Sequence, residues 1–531
     1  MDRKINFLDT SNRTSYKKYI SNNFFDVIII GGGITGSGVC LDASTRGLKT
    51  CLIEMNDFAS GTSSKSTKLI HGGLRYLEQL KFRLVHETGS ERAVLHDIAP
   101  HIVKSEKMLL PILRNGKLSK FSTKIALQVY DYLANVKTND KNKILSKNQT
   151  IKLEPLLKHN DLLGGALYSE YRTDDSRLTI DIIKRSYKNG AYPINYIKFK
   201  NFLFDEKGII NGVVCEDQLS EENINIFTKK VVNASGSWTD NVINDSNKKL
   251  VLSKGIHIVI PQKTFPIKQS LYFDALDSRM IFAIPRGKVV YIGTTDSKFN
   301  HGSDSLTVKR EEVDYLINSV NSKFSISLKI NDVVSSWVGL RPLIKDGEKD
   351  VTEISRKDEI FISDNGLITI TGGKLTGYRK MAERVVDLVI KKLKNKKIKS
   401  ITRSLKLFDS DYNFCKIQSR KYGISTDEFS RLYNIYGDGC LEIFKIFNKE
   451  ANCDEIIIAE FLYCRRREMC FSLKDFFTQR NSVVYFEIGQ LEYYLKLLKK
   501  YLISHSIMNS SEWKLEVKNL KDYVKGITKF N

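Results

Sequence analysis

Phe24–Glu54, FFDVIIIGGGITGSGVCLDASTRGLKTCLIE, decides the fold. Val27–Ile30 is an unbroken β-branched run, too short for a helix and apolar on both faces, as a strand inside a parallel sheet must be. Gly31, Gly33 and Gly36 follow at GxGxxG spacing. The first allows a tight turn, the second lets the backbone approach a pyrophosphate, and the third lets the helix pack close on the strand. A diphosphate would then sit on the positive end of that helix. Glu54 closes a second strand about twenty residues on, where a carboxylate hydrogen-bonds both ribose hydroxyls and repels a 2′-phosphate. The glycine spacing alone is weak, because turns of many kinds need positive φ. Strand before, helix after and acid in place make it a dinucleotide-binding βαβ unit. This unit alone does not choose between NAD and FAD.

Next comes the hydroxyl-rich loop FASGTSSKSTKLIHGG, whose small side chains and amides can line a cofactor. Read alone, Ser60–Ser66 is more readily an ordinary polar loop. Leu74, Leu77, Leu80, Leu84 and Val85 recur at helical spacing after it, as do apolar residues over Thr123–Leu133 and Leu153–Leu157. Strands begin near Leu163, and Asp174, Asp175 and Arg177 open a helix whose dipole suits the two carboxylates. Ile194–Val232 alternates as an antiparallel meander and leads into KVVNASGSW. Further strands are expected at Lys254–Pro261, over Tyr272–Asp296 and over Val333–Leu343. His257 stands between isoleucines, where a lone histidine is more often a satisfied core residue than a base. Asn365–Thr371 is a strand whose Gly372-Gly373 turn feeds a helix, a second junction able to aim amides at a cofactor. Lys394–Lys399 reads as an exposed basic linker, and the pattern beyond it is helical to Lys529. Met1–Asn23 is a polar lead-in whose Tyr16 and Tyr19 can pack on the first domain.

At 531 residues the chain suits about two or three domains. Its net charge of +23 fits either a lysine-decorated solvated surface or an anionic substrate or membrane face. The 8 cysteines lack CxxC or metal-finger spacing, so buried reduced thiols and no metal site are expected. No signal peptide is apparent and no apolar run approaches spanning length, so a soluble or peripheral protein is expected.

Together VIIIGGGITGSG, TSSKSTKLIHGGLRYLE, NASGSW, KGIHIVIP, IGTTD, GLRPL and TGGKLTGYRK closely resemble the FAD-dependent glycerol-3-phosphate dehydrogenase family, a branch of the D-amino-acid-oxidase-like flavoproteins. The similarity runs from about Phe25 to Tyr378. Ser235 replaces a usual Thr and Ile256 a usual Ser. EMCFSLKDFFTQRN keeps the family's EM-x3-L-x-D-F beginning but not the basic cluster that normally follows.

The resemblance implies an α/β plus α architecture. A discontinuous Rossmann-like FAD domain would comprise 24–80, 150–250 and 340–395, an interleaved antiparallel substrate domain 81–149 and 251–339, and a C-terminal helical domain 400–531. FAD would be held by Gly31, Gly33, Gly36, Glu54, Thr62, Ser63, Ser64, Thr67, Lys68, Leu69, His71, Gly72, Gly236, Gly373, Lys374, Leu375 and Thr376. The implied reaction is oxidation of sn-glycerol 3-phosphate to dihydroxyacetone phosphate, with electrons passed to a membrane quinone. Arg75, Tyr76, Arg341 and Arg356 would bind the phosphomonoester, for which guanidinium forks are the preferred cations. His257 becomes the first candidate base, Arg341 its orienting partner, and Lys374 a stabiliser of negative charge at flavin N1/O2. Implied partners are glycerol 3-phosphate, the quinone and an anionic membrane surface on the cytoplasmic side, with a homodimer allowed and no nucleic acid. Family oxidases that pass electrons to oxygen usually carry an extra insertion, for which this chain is too short. A non-catalytic flavoprotein is the third reading, and the intact site residues oppose it.

Overall fold

The computed structural model describes residues 5–71, 82–114, 123, 127–129, 141–244, 249–277, 279–300, 306–345, 358–394, 396, 398–449 and 455–530, with backbone alone at 82–85. Two sheets carry the site. The first contains β1 (Phe24–Ile30), β2 (Thr50–Ile53), β7 (Tyr192–Ile194), β8 (Ile197–Phe204), β9 (Ile210–Asp217), β10 (Asn223–Asn233), β17 (Asp358–Ile362) and β18 (Ile368–Gly372). Its order is β17-β18-β10-β1-β2-β7, with β8 and β9 attached through β10. The strands from β18 to β7 run parallel. Val27, Ile28 and Ile29 are wholly buried, as a strand covered on both faces requires.

α1 (Ile34–Thr45) leaves the glycine turn and packs on α2 (Asp175–Lys188) and α3 (Tyr378–Lys392). Gly31 has φ +113, and a Cβ on Gly36 would stand 1.9 Å from the Gly31 carbonyl oxygen. Turn and close approach are therefore both real at those two positions. Asp174 caps α2 by accepting from the Arg177 amide, as the placement of its carboxylate suggests. In the lead-in, Tyr16 donates to the Pro193 carbonyl at 2.8 Å and Tyr19 stacks on Tyr192.

The second sheet contains β3 (Leu69–Ile70), β4 (Lys104–Leu113), β5 (Lys143–Ser146), β6 (Leu162–Arg172), β11 (Leu250–Pro261), β12 (Ser270–Asp274), β13 (Met280–Arg286), β14 (Val289–Gly293), β15 (Ser297–Phe299) and β16 (Ser335–Ile344). Its order is β15-β11-β14-β13-β12-β4-β6-β3, with β16 on β11 and β5 on β6. β3 and β6 thus join this sheet, although their sequence ranges were expected with the cofactor segments. Alternation marks which side chains face inward; it does not say which strand is the neighbour.

After Lys394 the described elements are all helical. They include α4 (Tyr412–Lys421), α5 (Thr426–Tyr436), α6 (Cys440–Lys449), α7 (Ile456–Arg467), α8 (Leu491–Ser504) and α9 (Ser510–Thr528). These helices do not enclose a separate core: their buried residues form one cluster with Leu69, Val259, Ile284, Tyr291 and Trp337 of the second sheet. Two fully buried ion pairs bind them to the first sheet's neighbourhood, Arg480 to Asp57 at 2.6 Å and Arg177 to Glu468 at 2.7 Å. Burial acts against the Glu468 charge, yet Arg177 and Lys184 hold its carboxyl well below the usual range. Glu468 and Arg480 belong to EMCFSLKDFFTQRN, the segment whose role the sequence left undecided.

Candidate cofactor and substrate site

The parallel strands β18, β10, β1 and β2 end along one edge, where ligands of open α/β sheets bind. A cleft of about 340 Å³ lies there. It is lined by Gly31 and Gly33 after β1, Glu54 after β2, Ser235–Trp238 after β10 and Thr371–Leu375 after β18. Thr62 and Ser63 line it from the hydroxyl-rich loop, Pro342 from β16, and Ile197–Lys200 from β8. Glu54 Oε2 accepts from the Gly32 amide at 2.7 Å, and its Oε1 accepts from Asn56 at 2.9 Å. Burial raises the Glu54 pKa and these amide donors oppose that rise. Ser63 Oγ accepts from the Ile34 amide at 2.8 Å, within the first turn of α1.

The cleft meets the requirements of a flavin dinucleotide. The Glu54 carboxylate stands on the cleft wall after β2, the Gly33 turn opens α1 toward the cleft, and two strand-Gly-helix junctions converge on it. Of the residues expected to hold FAD, Gly31, Gly33, Glu54, Thr62, Ser63, Gly236, Gly373, Lys374 and Leu375 line the cleft. Gly36 packs the helix one turn behind. Ser64, Thr67, Lys68, Leu69, His71 and Thr376 lie outside the lining. Lys68 Nζ pairs with Asp175 at 2.5 Å and donates to the Ser64 carbonyl at 3.2 Å, so it ties the loop down from inside. Thr376 Oγ1 donates to the His71 carbonyl at 3.2 Å, joining the loop to the second glycine junction. Leu69 is buried in β3.

His257 and Arg341 occupy the second sheet, four residue pairs apart on paired strands: β11 and β16 match His257 with Trp337 and Ser253 with Arg341. The same β16 reaches the cleft, where the Leu340 carbonyl accepts from Thr62 Oγ1 at 2.7 Å. Each of the two side chains lies against a glycine on the next strand. A Cβ on Gly293 would meet the His257 ring at 2.1 Å, and one on Gly255 would meet the Arg341 guanidinium at 2.3 Å. Arg341 Nη2 donates to Thr294 Oγ1 at 2.7 Å, and its Nη1 contacts the Thr295 carbonyl and Asp296 Oδ1 at 3.2 Å. His257 Nε2 is 3.0 Å from Thr67 Oγ1, while among the described residues the buried Nδ1 has no hydrogen-bond partner. Burial first, then the charges of Arg341 and Lys68, depress the imidazole pKa well below its ordinary value. The ring is neutral at neutral pH and retains a lone pair.

Gly72, Arg75, Tyr76 and Arg356 lie outside the described residues. Several participants escaped the sequence. Ile197–Lys200 read only as part of a meander, and no local pattern marks a strand as the wall of a cleft. Trp337, stacked on His257 with centroids 4.8 Å apart and planes 12° apart, carried no signal beyond its place in SSWVGLRPLI.

Cleft and topology define a flavin-dependent oxidoreductase. The chain belongs to the FAD dependent oxidoreductase family, whose model matches residues 26–379. Within it, the chain is 46% identical over 505 residues to the aerobic glycerol-3-phosphate dehydrogenase of Staphylococcus aureus, with 91% of each covered. The FAD complex of the glycerol-3-phosphate dehydrogenase from Bacillus halodurans superposes with TM-score 0.83 at 36% identity, covering 98% of this chain and 99% of that one. The L-alpha-glycerophosphate oxidase of Mycoplasma pneumoniae, with FAD bound, shares the fold at TM-score 0.56 and 16% identity, covering 71% of this chain and 96% of that one.

Proposed function

We propose that the protein oxidises sn-glycerol 3-phosphate to dihydroxyacetone phosphate and passes the electrons to a membrane quinone. The observation that carries the reading is the buried His257, held through one nitrogen by Thr67, on a strand paired with β16, which bears Arg341 and reaches the flavin cleft at Pro342. Bound FAD supplies the acceptor for the hydride leaving C2. His257 takes the C2 hydroxyl proton on a ring nitrogen, and the Arg341 fork binds the phosphomonoester and orients the substrate. Arg75, Tyr76 and Arg356 add the remaining phosphate ligands. Lys374, on the cleft wall, stabilises negative charge at the flavin N1/O2 edge.

The chain's net charge of +23 suits docking at an anionic membrane surface, which a quinone acceptor requires; among the described residues no helix is long and apolar enough to cross a membrane. A quinone stays in the bilayer, so such an enzyme docks at the surface to reach it. Exposed Ile398 and Ile401 stand among Lys394, Lys396, Lys399 and Arg403, a combination suited to anionic lipid. On α8, by contrast, Leu495, Leu498 and Tyr501 are buried in the helical core. Its exposed residues include Tyr493, Lys496, Lys499 and Lys500.

Anaerobic addition of glycerol 3-phosphate to the yellow holoenzyme tests the substrate: the flavin absorbance bleaches, and a band that persists overturns the reading. Steady-state turnover with quinone and with oxygen then separates dehydrogenase from oxidase, the quinone rate exceeding the oxygen rate. Gly33→Val provides the cofactor control. It places a branched side chain where the pyrophosphate approaches, so FAD is lost.

A further inference from the structure

The role of the C-terminal helices follows from what stands behind His257. Among the described residues Thr67 bonds one nitrogen of the ring and nothing bonds the other. A histidine χ2 is broad and nearly two-fold, so one hydrogen bond leaves the plane of the imidazole underdetermined. Trp337 lies almost parallel to that plane on one side, and Gly293 lets the neighbouring strand close on the Cδ2–Nε2 edge. The indole is itself held. Its Nε1 donates to the Ser66 carbonyl at 3.1 Å, and the rings of Tyr485 and Phe486 meet it edge-on at 5.7 and 5.8 Å. Those two aromatics come from the C-terminal region. The same strand is fastened to that region twice more, by Ser335 Oγ to the Tyr485 carbonyl at 2.6 Å and by Ser336 Oγ to the Ile527 carbonyl at 2.8 Å. Lys65 of the hydroxyl-rich loop donates to the phenols of Tyr485 and Tyr523.

We propose that Trp337 is a positioning residue for the imidazole of His257, and that Tyr485 and Phe486 of the C-terminal helices hold it in place. The proposal rests on His257 acting as the base. It gives the helical region a part in catalysis through the indole, without contact with substrate. A displacement of about 1 Å in a reacting group costs on the order of 10²-fold in rate. Trp337→Leu keeps an apolar filler but removes the flat face, and it admits water beside the ring. The charges reaching that ring, Arg341 and Lys68, stay in place.

The test compares full-length holoenzymes. In Trp337→Leu, kcat falls roughly 10- to 100-fold with KM nearly unchanged, and the acidic limb of the kcat/KM profile moves up toward the ordinary imidazole value. Trp337→Phe restores a stacking ring without the Nε1 donor and recovers most of kcat, which separates plane-setting from the Ser66 bond. Tyr485→Leu gives a smaller loss in the same direction, and combining it with Trp337→Leu adds little because the two act in series. Should Trp337→Leu not accumulate with flavin bound, Trp337→Phe and Tyr485→Leu carry the comparison. Flavin-replete Trp337→Leu with wild-type kcat and an unmoved limb overturns the proposal, as does a loss that Trp337→Phe fails to rescue. His257→Asn distinguishes the deeper failure: if that variant stays active, the base assignment itself is wrong.

Discussion

Two side chains at the candidate site owe their behaviour to what is missing beside them. Glycines at 255 and 293 leave room for Arg341 and His257 to lie flat on the sheet, and His257 is thereby buried at 1% exposure. Its depressed pKa gives a signed expectation. Between that value and about 6.5 the unfolded chain binds a proton that the folded chain refuses, so this group's contribution to stability rises with pH and is complete above the ordinary value. The same shift puts the acidic limb of kcat/KM for the free enzyme below about 6.5. A limb above that value in a pH–rate profile would remove His257 as base. Arg341→Lys keeps the charge but cannot serve Thr294, Thr295 and Asp296 together with a phosphate. We expect kcat/KM to fall about 10- to 100-fold, consistent with roughly 1.5–3 kcal/mol for a charged hydrogen bond. Flavin content measured on the same sample should be unchanged.

At the scale of elements, burial separates the ion pairs that matter from those that do not. Glu468 is fully enclosed with Arg177, Lys184 and Arg480 around it, so Glu468→Gln leaves buried cations uncompensated. The expected loss is about 3–5 kcal/mol. Arg310 and Asp314, paired at 3.8 Å with both side chains exposed, should contribute no more than about 0.5 kcal/mol. The midpoints of thermal inactivation of Glu468→Gln and Asp314→Asn, compared with the parent, check both. Sequence pattern foresaw the elements far better than their partners. The βαβ unit was legible because each glycine has its own local duty, and the run Val27–Ile30 admits no other buried placement. β6 was read as a strand and its sheet was not, since alternation carries no information about neighbours. Lysines on α8 concealed an apolar stripe that the protein needs for its own core. Glu468 and Arg480 are polar residues with partners in sequence-distant segments, so nothing local announced that they would be buried.

For the molecule as a whole, the expected electrostatic attraction to lipid is a sum of small contributions, about 1 kcal/mol for each well-placed Lys or Arg. Such attraction is screened over roughly 10 Å at 0.1 M salt. Co-sedimentation should therefore require anionic vesicles and weaken markedly from low to high salt, and equal binding to neutral vesicles would exclude it. The ion pairs across the helical region have a further consequence during synthesis. Arg177 and Asp57 are made early, while Glu468 and Arg480 lie hundreds of residues downstream. Chain elongation at about 5–20 residues per second leaves them without those counter-charges for many seconds on the ribosome. These two buried contacts of the flavin half are therefore completed only after Arg480 has emerged.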